Sequence, residues 1–227
     1  MITFIVLGFH RSGTSLVANT LYNLGVHMGT RLLPASDGNK KGFYENAEFV
    51  KLNDRILELA GGSWFNPPSV EAIQAAGDIL DQPIYNCLKR ASSVKDTWGW
   101  KDPRTCLTFQ CYEPHLYNMG GRTKLVYVFR QRDSVWKSFK SRRLKAKSPI
   151  ERAVTEKHFD HIYRDYTERT ILALDKYAEV FDIFYDDFLQ RSDNYAKRLV
   201  KFVTDKAPTQ EEINIVKKTI DPTLRRF

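Results

Sequence analysis

Long apolar runs are missing from this chain: nowhere do the roughly 20 consecutive apolar residues needed to span a bilayer occur. The apolar stretch Ile2 to Leu7 has no basic flank and is too short for a secretory signal core. It reads as a buried strand, and the protein is expected in the cytoplasm. Cysteine is scarce as well. Cys87, Cys106 and Cys111 form no C-x-x-C pair, which excludes a disulfide framework and points to reduced thiols. With no internal repeat and no low-complexity linker, one domain over residues 1–227 is the expectation. What the chain does have is 42% hydrophobic and 27% charged residues, the balance of a soluble globular protein. Its formal charge of +8 predicts attraction to anions without saying which. No nucleic-acid module or aromatic-basic platform accompanies that charge, so neither nucleic acid nor a membrane is expected as a partner. Nothing in the pattern sets an oligomeric state.

Ile2 to Leu7 is rich in β-branched and aromatic residues and is ended by Gly8. Leu16, Val17, Thr20, Leu21 and Leu24 then recur at helical spacing until Gly25 stops the helix. Phe49, Leu52, Ile56, Leu57 and Leu59 mark a second helix, and Pro67-Pro68 opens one helical stretch reaching about Arg90. Strands are expected at Thr97 to Trp100, Lys124 to Phe129 and Val180 to Tyr185. Helices are expected near Asp133 to Lys147, Ile150 to Tyr177, Asp187 to Thr204 and Thr209 to Thr219. This alternation predicts an α/β fold, a central parallel sheet flanked by helices, with ligands at the carboxyl ends of the strands.

The chemistry-bearing stretch is Gly8-Phe9-His10-Arg11-Ser12-Gly13-Thr14-Ser15. It has the G-x4-G spacing of a phosphate loop, but Thr14 stands where a nucleotide-hydrolysing enzyme carries lysine. Two glycines, a following helix start, two hydroxyls and Arg11 still make an anion cradle. The missing lysine, and the lack of a strand-end aspartate to hold magnesium, suit a donor that reacts without metal. A kinase or NTPase with a P-loop remains the competing reading.

GFHRSGTS resembles the 5′-phosphosulfate loop of sulfotransferases that use 3′-phosphoadenosine 5′-phosphosulfate (PAPS) and release adenosine 3′,5′-bisphosphate (PAP). The strand ending in Arg130, with Ser138 eight residues later, resembles that family's 3′-phosphate motif; Arg132 replaces a proline often found there. Phe184 to Leu189 (FYDDFL) resembles a segment whose tyrosine, here Tyr185, lies close to the adenosine. The terminal IDPTLRR resembles the tail of bacterial members, and Arg225 and Arg226 are implied to close over the cofactor. The resemblance implies a P-loop-like sulfotransferase fold of the bacterial or Golgi type. It also implies cofactor contacts from His10, Arg11, Ser12, Gly13, Thr14, Ser15, Arg130, Ser138 and Tyr185, and no metal. Arg11 is implied to stabilise the departing phosphate. Glu45 resembles the glutamate base of several members, and Asp102, within the Lys101-Asp102-Pro103-Arg104 element, is a second candidate; His10 is a third. Lys101 joins the catalytic set as a basic residue of that element. The acceptor is expected to be a small molecule or a glycan carrying a hydroxyl or amine. A basic run from Lys137 to Lys147 could meet it if acidic.

Overall fold

The computed structural model describes residues 1–35, 42–143, 152–190 and 192–220. Strand β1 (Ile2–Leu7) leads to helices α1 (Thr14–Asn23), α2 (Ala47–Leu59), α3 (Val70–Ile79) and α4 (Asp81–Ser92), then to β2 (Thr97–Lys101). The short helices α5 (Thr105–Thr108) and α6 (Glu113–Asn118) precede β3 (Arg122–Phe129), α7 (Arg132–Arg143), α8 (Glu156–Leu174) and β4 (Val180–Phe184). One turn of helix, α9 (Tyr185–Phe188), is followed by α10 (Asp193–Thr204) and α11 (Gln210–Thr219).

The strands form one parallel sheet in the order β2–β1–β3–β4. Val6 lies beside Lys101 on one side and Val126 on the other, and Phe129 lies beside Phe184. Because the strands run the same way, all four carboxyl ends meet at one sheet edge, where the connecting loops can share a ligand. Alternate residues divide between two cores. Ile5, Leu7, Trp98 and Trp100 face α2 and α8 through Phe49, Ile56, Phe159 and Ile162. Phe4, Val6, Val126 and Val128 face α1, α10 and α11 through Val17, Leu21, Val200 and Val216. The α/β architecture read from the alternation is the one found.

Three expectations on helix extents need correction. The stretch expected to run to about Arg90 as one helix is two, α3 and α4, meeting at Leu80 (φ −98, ψ 16). Pro83 is the reason: its ring would collide with the Ile79 carbonyl of a continuous helix, but it is tolerated in the first turn of a new one. The helix expected from Asp187 likewise divides into α9 and α10, because Ser192 caps the latter by accepting from the Tyr195 N–H at 3.2 Å. The long helix begins at Glu156, capped by Thr155, and ends at Leu174. Helices α5 and α6, four and six residues long, were too short to show a period. The expected extension of α7 to Lys147 lies outside the described residues. Among the described residues no helix is long and apolar enough to cross a membrane.

Candidate functional site

The turn after β1 depends on two left-handed residues, Arg11 at φ 71 and Gly13 at φ 97. A non-glycine residue in that region is strained and persists only where its surroundings over-determine it. Here the Ser12 N–H donates to the Phe9 carbonyl at 3.1 Å. Phe9 is a buried peg, its ring 5.5, 5.3 and 4.9 Å from those of Phe159, Tyr163 and Tyr166 on α8. Beneath the loop the Gly8 N–H donates to the Cys106 sulfur at 3.1 Å. Burial pushes that thiol up to about 11, so it stays protonated and inert at neutral pH. Helix α1 then starts without a side-chain cap. Its first N–H groups and the positive end of its dipole are therefore available to an anion at the carboxyl end of β1.

Gly13 has a second constraint: a Cβ there would overlap the Tyr185 ring. We expect Gly13→Ala to cost about 1–3 kcal/mol in a urea unfolding titration, through backbone strain and displacement of Tyr185. Gly61→Ala is the control, since Gly61 has φ 82 but nothing within 4 Å of the added carbon. Equal losses for the two variants would remove the ring contact from the account.

Three sequence-distant elements meet at this loop. The Arg11 Nε donates to the Ser138 hydroxyl at 3.1 Å, joining β1's loop to α7 across 127 residues. The Arg130 Nη1, at the end of β3, donates to the Arg11 carbonyl at 3.1 Å. The Arg130 guanidinium lies 4.7 Å from the centre of the Tyr185 ring, which begins α9 at the end of β4. Arg130 and Ser138 are both buried. Their eight-residue spacing, strand end to second helical turn, aims both at Arg11. Thr14 and Ser12 are buried within the loop, and Ser15 is half-buried on α1's first turn.

On the other side of the loop the Lys101 Nζ donates to Glu45 Oε1 at 2.6 Å, a buried ion pair at the end of β2. Glu45 is positioned by main chain: the Leu33 N–H donates to its carbonyl at 2.8 Å and the Ala47 N–H to the Arg31 carbonyl at 2.9 Å. Next to it, Tyr44 has φ 53 and Asn46 caps α2. Two of the three non-glycine residues with positive φ among the described residues, Arg11 and Tyr44, thus stand in this one region. Asp102 is turned away. It is fully buried, and its carboxylate accepts from Asn53 Nδ2 (2.9 Å), the Arg104 N–H (3.1 Å) and Arg104 Nη1 (2.9 Å). Arg104 also ion-pairs with Asp54 at 2.6 Å. Asp102 thereby sets the guanidinium of Arg104, while Asn53, held by Thr108 and Tyr112, sets Asp102.

Burial, and then the positive charges of Arg104, Arg142, Lys101 and Arg11, hold the His10 imidazole well below the usual histidine range. It is neutral at pH 7. Its ring packs on Trp64 with centroids 4.6 Å apart. Asn53 and Asp54 were not legible, because each looks like an ordinary helix position until the fold brings it to Asp102 or Arg104. Arg132, where the resemblance leads one to expect proline, ion-pairs with Glu156 at 2.7 Å and with Asp160, so it ties α7 to α8. Arg225 and Arg226 lie outside the described residues. His158 Nε2 donates to the Phe65 carbonyl at 2.8 Å, and among the described residues no three His, Cys, Asp or Glu side chains are grouped to hold a metal.

No protein-family model matches the chain, and no curated protein does. Solved structures do. The sulfotransferase STF9 from Mycobacterium avium superposes with a TM-score of 0.55 at 14% identity, over 95% of this chain and 67% of that one. The sulfotransferase domain of the Synechococcus PCC 7002 olefin synthase gives 0.54 at 15% identity, over 98% of this chain and 82% of that one. At such identities the likeness is one of fold.

Proposed function

With the sulfotransferase fold as premise, we propose that this protein transfers a sulfuryl group from PAPS to a hydroxyl or amine acceptor. One observation carries the reading: Arg11 of the phosphate loop is bonded through its side chain to Ser138 and through its carbonyl to Arg130, at 3.1 Å each. The contacts support a single site for the loop and the Arg130/Ser138 couple, as a nucleoside carrying two phosphate groups requires. The residues fit that ligand. The uncapped start of α1 and Arg11 suit a 5′-phosphosulfate, and a buried guanidinium and a buried hydroxyl, each bonded to Arg11, suit a second phosphate. Tyr185, between Gly13 and Arg130, would flank the nucleoside.

PAPS supplies an activated sulfuryl group when bound, with PAP as the leaving group. The chain supplies the rest. Glu45 takes the acceptor's proton, and Lys101 at 2.6 Å holds the Glu45 carboxylate in position. Arg11 and the loop N–H groups stabilise the charge that gathers on the departing phosphate. The Asp102 carboxylate, already engaged by three donors, serves as a positioning group for Arg104.

Calorimetry with PAP and with ATP, each in magnesium and in chelator, tests the reading. PAP is expected to bind equally in both buffers and ATP weakly in both. Magnesium-dependent ATP binding without PAP binding would give the site to the kinase or NTPase reading instead.

A further inference from the structure

A groove with a volume of about 450 Å³ runs between α2 and α4, outside the donor site. Its rim carries four exposed cations, Arg31, Lys51, Arg55 and Arg90, against one carboxylate, Glu48. Glu48 pairs with Arg31 and, at 3.4 Å, with Arg90. One carboxylate thus steadies two guanidinium groups, Arg55 pairs with Glu58 at 3.8 Å, and four cations against these two carboxylates leave the rim net positive. The floor is apolar, formed by Leu52, Leu80 and Pro83. Glu48, Lys51, Leu52 and Arg55 share one face of α2, spaced i, i+3, i+4 and i+7, so the two cations of that face stand about 6 Å apart along the helix.

One rim residue, Arg31, is on the segment that pairs with the proposed base. Leu32 bridges to Asn46, which sets Arg31 opposite Ala47 and Leu33 opposite Glu45 on one short antiparallel ladder. A linear molecule whose reactive group lies at Glu45 can therefore continue into the groove past Arg31. We infer that the groove between α2 and α4 is an acceptor subsite for a carboxylated or sulfated saccharide chain, which rests on the reading of Glu45 as the acceptor's base. Charge complementarity selects an anion. Single-stranded nucleic acid is disfavoured because no aromatic side chain lines the groove to stack a base. An extended peptide is disfavoured because both walls are helices, whose main-chain groups are bonded internally and offer no strand edge to pair its amides. A saccharide needs neither, since its charges and hydroxyls are read by side chains.

The test is fluorescence anisotropy with a labelled short sulfated oligosaccharide on the full chain. Lys51→Glu with Arg55→Glu is compared with Lys197→Glu plus Lys201→Glu, an equal change of charge on exposed positions of α10, whose core contacts lie on the other sheet face. Groove reversal is expected to weaken binding about tenfold or more, and the control to stay within about twofold. Equal losses in both variants would show only the general attraction of a +8 chain and overturn the subsite. Displacement of the oligosaccharide by PAP would move it to the donor loop, with the same consequence. Polyglutamate binding as tightly, with the same sensitivity, would replace the saccharide by an acidic peptide. Circular dichroism and PAP affinity check the folding of each variant. Loss of PAP binding by the wild type would sink the donor reading while leaving the groove result intact.

Discussion

Replacing Glu45 by glutamine is expected to lower kcat by about 10²–10⁴-fold while PAP binds as before. Glutamine keeps the shape but cannot take a proton. The wild-type fall in kcat/KM on the acidic side, which reports protonation of the free enzyme's base, should vanish from the variant's pH profile. A structural cost comes with it. Lys101 is 1% exposed, and without its carboxylate partner it becomes a buried uncompensated cation, worth about 3–5 kcal/mol of destabilisation. Glu45→Gln combined with Lys101→Met separates the effects: stability should recover substantially and turnover should not. Asp102→Asn is the contrasting case, expected to lower stability and activity together while keeping the pH profile. If Glu45→Gln kept turnover within a few-fold of wild type, or if Asp102→Asn alone lost the acidic limb, the base would be misassigned.

The second large effect is at Arg11. Arg11→Ala is expected to reduce kcat by about 10²–10³-fold, the loss typical of removing one preorganised donor from developing negative charge. PAP affinity should fall far less, because Arg130, Ser138 and the N-terminus of α1 continue to hold the ligand. Ser138→Ala removes the hydroxyl that accepts from Arg11 Nε and should give a smaller fall in kcat together with weaker PAP binding. Single-turnover rates set beside calorimetric affinities separate the two contributions. Should Arg11→Ala weaken PAP binding as much as it slows turnover, Arg11 is a binding residue and not a transition-state one.

Both expectations draw on features of unequal legibility. The phosphate loop could be read directly, because glycine spacing and a helix start are local requirements of backbone geometry. The Arg130/Ser138 couple could be read only through its resemblance to a family motif; the eight-residue spacing explains why a strand end and the second turn of the next helix can approach one loop. That Arg11 bonds to Ser138 could not be read, because a contact across 127 residues is made by the sheet order and by nothing in the intervening chain. The carboxylates show the same limit. Glu45 and Asp102 have similar local surroundings in the sequence, each close to basic and aromatic residues. Only the fold brings Asn53 of α2 onto the Asp102 carboxylate, which Arg104 also engages, and sets Glu45 beside Lys101.

By itself the sequence determined what depends on near neighbours. Alternating strands and helices set the parallel α/β sheet, and two glycines set the tight turn between β1 and α1. Tertiary structure decided what depends on distance. It brought the residues at four strand ends together, gave the two carboxylates different partners, Lys101 for Glu45 and Asn53 with Arg104 for Asp102, and opened a basic groove beside α2. The reason is physical: backbone preferences act over a few residues, whereas burial and ion pairing are settled only when distant segments are packed together.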